Sequence, residues 1–324
     1  MENEKCANWV GVDTHKDTLA CYTKEKFKEF KTTPAGFKQA LKWAKENNNG
    51  DCNWAIEGAY CFGKPFASFL TKNGCKVYEI NPYITKSWRS ALSANGNKND
   101  YGDAKVISIF SKNLELEEIS LKTIELKERI TARELLVKQR TKLINSIKML
   151  YYTKGEELEY KNLTSKKAIK YLMNHDNAII KNFGEIIEKL NNSIKELDKE
   201  IFNILPDKVL KLTHICGIDK NTAATIYTET KGKIISQSSF ANYCATAPIE
   251  QSSGKTIKHS VNKRGNRKLN SIFFRISICQ SIHDERGKVY YEKKLKEGKS
   301  KRHARKCLAR QICNTVFRIL KNID

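Results

Sequence analysis

Two aspartates three residues apart begin a predicted helix at the end of the first third of the chain. Asp100 and Asp103 lie on one side of such a helix because residues i and i+3 are neighbours on its surface. Two further acids, Asp13 and Glu57, each follow a short apolar run that is typical of a buried strand. Four carboxylates in one pocket repel each other unless a cation lies among them, and hard oxygen ligands select Mg²⁺ or Mn²⁺. The four acids therefore predict a divalent metal site suited to phosphodiester chemistry.

A second candidate for chemistry lies in the last third, where Ser252 and Ser253 precede a glycine. The small residues around them predict an open turn, and nearby cations would favour the alkoxide form of a serine. A turn of this composition is usually only a turn, however, and no Ser-His-Asp arrangement is evident in the sequence. The basic residues around the turn are Lys255, Lys258, Lys263, Arg264, Arg267 and Lys268.

The charge of the chain indicates a polyanionic partner. The 324 residues include 59 Lys and Arg against 36 Asp and Glu, a formal net charge of +23. Such an imbalance is typical of proteins that bind nucleic acid. No apolar run approaches the ~20 residues of a membrane-spanning helix and no signal-peptide pattern is evident, so we expect a cytoplasmic protein without a membrane partner. The candidate nucleic-acid-binding residues are Lys86, Arg89, Lys98, Lys255, Lys263, Arg264, Arg267, Lys268, Arg302 and Arg305.

These cations fall in three segments. Residues 83–99 form a polar, basic stretch that we interpret as a loop, either holding a phosphate backbone or merely exposed. The second segment follows the serines. The third, residues 299–320, predicts a basic amphipathic helix, whose charged face is either solvated or in contact with a nucleic-acid backbone. The ten cysteines are scattered without a C-x-x-C pair, which is typical of reduced core residues.

The first third predicts the α/β fold that positions the acids. Three short strands over 8–14, 18–23 and 27–32 precede a helix that begins at Pro34. The strand that carries Glu57, a helix, a strand over 76–80 and the acidic helix follow. This is the element order of a ribonuclease-H-like fold. The alternative is another α/β domain whose acids face solvent.

The middle third predicts long helices. From 114 to about 205 glycine and proline are almost absent, and apolar residues recur at steps of four and three. Such a heptad seam needs a partner helix, either within the chain along 130–150 or on a second protomer. The seam residues are Phe183, Ile187, Leu190, Ile194, Leu197, Ile201 and Ile204.

The order of several motifs matches one known family. They are Gly11-Val12-Asp13-Thr14-His15-Lys16-Asp17, Ile56-Glu57-Gly58, Asn81-Pro82, Asn99-Asp100-Tyr101-Gly102-Asp103-Ala104, Gly217-Ile218, Ala247-Pro248, Ser253-Gly254 and Lys263-Arg264-Gly265-Asn266. With these motifs the chain resembles, along nearly its whole length, the DEDD transposases of the insertion-sequence 110 and 1111 group, also called bridge-RNA-guided recombinases.

The resemblance implies a RuvC-like nuclease domain over 1–113, a coiled-coil arm over 114–205 and a mainly helical C-terminal transposase domain over 206–324. It implies that the four acids of the first third are the DEDD metal ligands for Mg²⁺ or Mn²⁺. It also implies that Ser253, with Ser252 as second choice, is the nucleophile. Family members act on DNA as homo-oligomers, dimers or tetramers, with a structured guide RNA.

The sequence is also compatible with two other functions. One is a metal-dependent, junction-resolving nuclease in which water is the nucleophile and the serine region only binds DNA. The other is a non-catalytic nucleic-acid-binding scaffold, which predicts salt-sensitive binding without cleavage. A sugar-kinase-like ATPase, suggested by residues 11–14, is disfavoured because the sequence lacks a second glycine-rich phosphate loop.

Overall fold

The computed structural model of the protein describes residues 8–59, 61–80, 82–92, 99–113, 116, 118–231, 236–253, 256–262 and 265–321. For residues 83, 84, 91, 92, 250–253, 256–259 and 261 only the backbone is described. The chain divides into two compact units. The first unit contains Met1–Ile124, Lys211–Ile218 and Ile226–Asp324, and the second contains Glu125–Leu210 and Asp219–Thr225.

A five-stranded sheet forms the centre of the N-terminal part of the first unit. Its strands are β1 (Trp9–Thr14), β2 (Thr18–Thr23), β3 (Lys26–Lys31), β4 (Asn53–Glu57) and β5 (Val77–Ile80). The strand order is β3-β2-β1-β4-β5; the first three strands pair antiparallel, whereas β4 pairs parallel with both β1 and β5. The five strands expected from the sequence are confirmed.

Helices cover both faces of this sheet, so the acidic residues lie in a mixed α/β structure. On one face, α1 (Pro34–Asn48) and α2 (Lys64–Lys72) bury an apolar core that includes Phe37, Trp54 and Phe66. On the other face lie α3 (Pro82–Leu92) and α4 (Asp100–Ser111). Their packing includes the stacked rings of Trp88 and Phe110, whose centroids lie 5.1 Å apart.

The loop that we expected over residues 83–99 is wrong for its first half. Pro82–Leu92 is the helix α3, and Pro82 occupies its first turn, where proline is tolerated because its missing N–H would have no helical partner. Helix α3 places Lys86 and Arg89 one turn apart. Lys98 lies outside the described residues.

Two long helices make up most of the second unit. Helix α5 spans Leu121–Lys154 and begins in the first unit, and α7 spans Ala178–Ile204. Arg129 pairs with Glu200, Arg133 with Asp198 and Arg140 with Asn191, so the two helices run antiparallel. The seam of α7 therefore has a partner within the chain, which is one of the two arrangements left open above. Between them lies α6 (Lys166–Met173), and α8 (Asp207–Leu210) follows.

The C-terminal part of the first unit is mainly helical, as expected. Its core includes Phe240, Phe273 and Phe317, and Phe240 packs against both of the other two rings. None of the helices in the described ranges is long and apolar enough to cross a membrane. Cysteines in the described part of the chain form no disulfide. The elements after α8 are a 3-10 turn (Lys211–His214), α9 (Lys220–Thr230), α10 (Gln237–Tyr243), β6 (Pro248–Ser253), β7 (Thr256–Val261), α11 (Arg267–His283), α12 (Glu285–Lys296) and α13 (Lys301–Lys321).

The prediction of an open turn around the serines is partly wrong. Ser252 and Ser253 are the last two residues of β6, which pairs antiparallel with β7. Ser253 lies opposite Thr256 at the end of this hairpin. Lys255, Lys263 and Arg264 lie outside the described residues, and Lys258 is described only as a backbone position in β7.

Candidate metal centre

Asp13 and Glu57 lie at one edge of the central sheet. Strands β1 and β4 are parallel neighbours, and Val12 lies opposite Ile56. Asp13 and Glu57 each come directly after one of these paired residues, so the two acids lie at the same level in the sheet. The Thr14 hydroxyl donates to the Glu57 carbonyl oxygen at 2.8 Å and ties the two strand ends together. Because side chains alternate along a strand, Asp13 lies on the same face as Gly11, which is the face that α4 covers.

The helix α4 brings Asp100 and Asp103 to this edge. Asn99 caps the helix by accepting from the Gly102 N–H at 2.6 Å, which fixes the first turn that carries both aspartates. Farther along, α4 packs directly against β1 at Gly11. A Cβ atom on Gly11 would lie 2.2 Å from the Ala104 carbonyl oxygen, so only glycine allows this approach.

Three ligand-type side chains lie close together at the centre of this arrangement. His15 Nε2 lies 3.4 Å from Asp13 Oδ2 and 3.1 Å from Asp100 Oδ1. One ligand atom from each of the three residues lies within 4.8 Å of the others. Asp13 is buried and the other two are half-buried, so the cluster is open to solvent on one side.

The other two acids contact helix α3. Arg89 Nη1 donates to Asp103 Oδ2 at 2.8 Å, and both side chains are largely buried. The buried Thr85 hydroxyl lies beside Glu57, one helical turn from Arg89. Helix α3 thus supplies one cation and one hydroxyl to a site that holds four carboxylates.

The acids act on each other's ionisation. Burial raises the pKa of Asp13 above its ordinary value; His15 opposes this rise, while the negative charges of Asp103 and Asp100 add to it. Burial also raises the pKa of Glu57, the Thr85 hydroxyl lowers it, and the charges of Asp13 and Asp103 raise it again. Carboxylates from three separate chain segments therefore share one electrostatic environment.

The donor set fits a hard divalent cation. Four carboxylates lie in one electrostatic environment with one guanidinium, so the charge of the site is negative, and carboxylate oxygens are the ligands that hard divalent cations prefer. A bound cation would lower the cost of ionising Asp13 and Glu57, whose pKa values are raised by burial and by neighbouring charge. Such a site can polarise a phosphate and stabilise a leaving oxygen.

The positions of His15 and Thr85 in the site, and the ion pair of Arg89, were not predicted from the sequence. His15 follows Asp13 by two residues, the spacing that places side chains on one face of an extended segment, and this signal was available. Thr85 and Arg89 are one turn apart on α3, whose helical character was missed, so their common orientation was not predictable. Arg89, expected as a nucleic-acid contact, has Asp103 as its partner.

The remaining cationic candidates lie on several elements. Lys86 is exposed on α3, and Arg267 and Arg302 are exposed in the first turns of α11 and α13. Lys268 Nζ lies 3.4 Å from Glu229 Oε1, and the Arg305 guanidinium lies 5.6 Å from the centre of the Tyr291 ring. The roles of all these residues stay predictions, as do those of the serines.

Two family models match the chain. A transposase model of the IS110 DEDD type matches residues 10–151, and a model described as transposase IS116/IS110/IS902 family matches residues 210–292. Together the two matches cover more than two thirds of the chain, and the first includes all four acids of the site. A search of the curated proteins found no match. The chain belongs to the IS110 family of DEDD transposases, which are enzymes of DNA recombination.

Proposed function

We propose that this transposase cleaves and exchanges DNA strands through a divalent metal site and a serine nucleophile, guided by a structured RNA. Asp13, Glu57, Asp100 and Asp103 are the proposed metal ligands. Ser253 is the proposed nucleophile and Ser252 the second choice. The observation that carries the proposal is that Asp13 and Asp100 meet beside His15 at one sheet edge, where the charge of Asp103 raises the pKa values of both Asp13 and Glu57.

The topology supports a ribonuclease-H-like, RuvC-like assignment of residues 1–113. Three antiparallel strands followed by two parallel strands, with an acidic helix packed across the central strand, is the arrangement expected for that fold. We propose the antiparallel pair of α5 and α7 as the coiled-coil arm of residues 114–205. Residues 206–324 are then the transposase domain with the catalytic serine.

The residues of the acidic site have separable roles in this proposal. Asp13, Glu57, Asp100 and Asp103 would hold Mg²⁺ or Mn²⁺, and the cation would supply positive charge that stabilises the developing charge on the scissile phosphate. Arg89 positions the Asp103 carboxylate through the 2.8 Å ion pair. His15 lies within reach of both Asp13 and Asp100 and can carry a proton at the rim of the site.

The covalent step is an in-line displacement. The serine Oγ loses its proton and forms a bond to the scissile phosphorus, while the bond from phosphorus to the 3′ oxygen breaks. The leaving 3′ oxygen takes up a proton, and the 5′ phosphate remains attached to the serine. Because the phosphoserine bond replaces the phosphodiester, reversal of the step joins a new strand without ATP.

The charge of the chain supports DNA and RNA as partners. A net charge of +23 favours binding to phosphate backbones, and base pairing by a guide RNA would supply sequence recognition. The exposed Lys86, Arg267 and Arg302 are the proposed backbone contacts in the described residues. We propose a homo-oligomer, a dimer or a tetramer, as the active form.

Trapping the covalent adduct tests this proposal. The full chain is incubated with Mg²⁺, labelled DNA that carries the ends of its own element, and RNA transcribed from the flank of that element. Wild-type protein and Ser252→Ala should give a DNA–protein band under denaturing conditions, whereas Ser253→Ala and Asp13→Asn should lose it by at least about a hundredfold.

Each of the other outcomes supports a different nucleophile or a different function. An adduct in Ser253→Ala that disappears in Ser252→Ala assigns the nucleophile to Ser252. Hydrolysed ends without an adduct indicate a nuclease that uses water, and DNA binding without cleavage under Mg²⁺ or Mn²⁺ indicates a scaffold. Full activity of Asp13→Asn would remove the acidic site from the mechanism.

A further inference from the structure

An open cavity of about 510 Å³ lies within the second unit, remote in sequence from the acidic site. This volume falls in the range of small-ligand sites in proteins. The residues that line it are Tyr160, Lys167, Lys170, Tyr171, Asn174, His175 and Asp176. They fall between the two family matches, which end at residue 151 and begin again at residue 210.

The polar lining is a stripe along α6. Lys167, Lys170, Tyr171 and Asn174 follow one another at steps of three, one and three residues, which places them on the same side of a helix. Both lysines are exposed. The cavity therefore has two cationic groups beside an aromatic ring on a single helical surface.

Aromatic rings form the floor of the cavity. The centroid of Tyr171 lies 5.6 Å from that of Tyr160 and 6.0 Å from that of His175. The buried Tyr151 contacts two of these rings. Its hydroxyl lies 3.3 Å from the Tyr171 hydroxyl, and its ring centroid lies 5.8 Å from that of His175. Tyr160, Tyr171 and His175 are only half-buried, so parts of their rings face the cavity.

The platform under these rings is tightly packed. Ser165 caps α6 by accepting from the Ala168 N–H at 3.3 Å. The opposite side of the helix buries Ala168, Ile169 and Leu172, and a Cβ atom on Gly184 of α7 would lie only 2.9 Å from Leu172 Cβ. A ligand that binds here meets rings whose positions are already fixed, which lowers the entropic cost of binding.

The edge groups of the cavity suit a nucleobase. His175 Nδ1 accepts from the Asn177 N–H at 3.0 Å, so the neutral ring carries its proton on Nε2 and can donate from there. Asn174 can donate and accept, and Asp176 can accept from an exocyclic amine. The carboxylate of Asp176 would repel a phosphate, which leaves the lysine side of the cavity for the phosphate group.

We infer that this cavity binds an unpaired nucleotide of a single-stranded segment of nucleic acid. The base stacks against the rings of Tyr160 and Tyr171, and Lys167 and Lys170 contact its phosphates. Single-strand binding sites combine aromatic faces with a basic track in this way. The inference rests on the proposed function only for nucleic acid as the class of partner, because neither the metal nor the serine takes part.

Binding of a short oligonucleotide to the full chain tests the site. Fluorescently labelled hexamers of RNA and of DNA, single-stranded and as duplexes, are titrated at a salt concentration that suppresses contacts to phosphate alone. Hexamers with 5-iodouracil are then photo-cross-linked, and the modified peptides are identified by mass spectrometry. We expect cross-links at Tyr160 or Tyr171 with single strands, and comparison of the RNA and DNA arms identifies the preferred sugar.

Matched variants separate stacking from charge. Tyr160→Leu should weaken single-strand binding about tenfold, the loss typical of one base stack, and Tyr160→Phe should retain it. The control is Tyr152→Leu, since Tyr152 is 80% exposed and lies outside the cavity. Lys167→Gln should weaken binding, whereas Lys166→Gln, at the neighbouring exposed position outside the lining, should do so less.

Three results would overturn the inference: cross-links confined to other peptides, equal effects of Tyr160→Leu and Tyr152→Leu, or equal binding of single strands and duplexes. The outcome is separable from that of the proposed function. Asp13→Asn should retain the cross-link, and a chain that forms the serine adduct without this cross-link would refute the cavity alone.

Discussion

Asp13 is held in the folded chain as a carboxyl group that resists ionisation. Burial raises its pKa above the ordinary value of 3.8, and the charges of Asp103 and Asp100 add to the rise. In the unfolded chain Asp13 loses its proton at lower pH. The contribution of this group to stability is therefore fully present below the unfolded pKa and is lost as pH rises through the raised folded pKa.

The raised pKa of Asp13 gives a prediction for the stability of the metal-free protein. As pH rises above 4, wild type should lose stability relative to Asp13→Asn, because asparagine has no proton to release into the cluster. At neutral pH without metal, Asp13→Asn should thus melt at a higher temperature than wild type. Melting curves from pH 4 to pH 7.5 with a chelator measure the difference.

Adding Mg²⁺ should reverse the order of the two proteins. The cation stabilises wild type, in which it binds the folded state, and has little effect on Asp13→Asn. Glu188→Gln is the control, since Glu188 is exposed on α7 in the second unit and should respond to Mg²⁺ as wild type does. A Mg²⁺ response of Asp13→Asn equal to that of wild type would show that Asp13 is not a ligand.

At the scale of elements, the site depends on the close contact of α4 with β1. Gly11 has no room for a side chain, because an added Cβ would meet backbone atoms of Ala104 and Ser108 at 2.2 and 2.3 Å. The Ser108 hydroxyl also donates to the Trp9 carbonyl oxygen at 2.9 Å. Any residue other than glycine must push away the helix that carries Asp100 and Asp103.

Gly11→Ala should therefore damage stability and metal binding together. We expect a loss of about 1–3 kcal/mol in the free energy of unfolding, the usual cost of overpacking, together with a weaker Mg²⁺ response in melting experiments. Gly298→Ala is the control: a Cβ there meets nothing within 4 Å, although its φ of +80° adds some strain. Gly298→Ala should keep the Mg²⁺ response. An unchanged Mg²⁺ response in a folded Gly11→Ala would contradict this role of the contact.

Elements with strong local signals were predictable from the sequence. Apolar runs before Asp13 and Glu57 indicated their strands, and the helix starts expected at Pro34 and near Asp100 are confirmed. Helix α3 was missed because the polar residues after it dominated the composition of the segment. The hairpin of β6 and β7 was missed because its residues are mostly polar and its register depends on cross-strand pairing, which a local pattern does not reveal.

The candidate site was also only partly predictable from the sequence. The acids were identifiable because each ends an apolar strand or begins a helix. The contact of His15 with Asp100 joins segments far apart in the chain, and that of Arg89 with Asp103 joins two successive helices. Only tertiary structure determines such pairs. The sequence also left the partner of the α7 seam open, and pairs such as Arg129 with Glu200 decide in favour of α5.

At the scale of the whole molecule, the strongly basic chain contains a concentrated group of acids. A net charge of +23 attracts DNA, while the carboxylates repel a scissile phosphate until a cation compensates them. Ser253, the proposed nucleophile, is the last residue of β6 and lies more than 230 residues beyond Asp13 in the chain. The proposed oligomer allows acids and serine to come from the same protomer or from different protomers.

Mixing two inactive variants distinguishes these arrangements. Asp13→Asn keeps the serine and Ser253→Ala keeps the acids. If a protomer's acids act with its partner's serine, each mixed dimer contains one intact site and one site that lacks both groups. Random exchange makes about half of the dimers mixed, so an equal mixture should recover about a quarter of the wild-type sites. Adduct formation on labelled DNA measures the recovery, and each variant alone at twice the concentration is the control. If acids and serine act within one protomer, no mixed dimer contains an intact site and the mixture should be as inactive as its components.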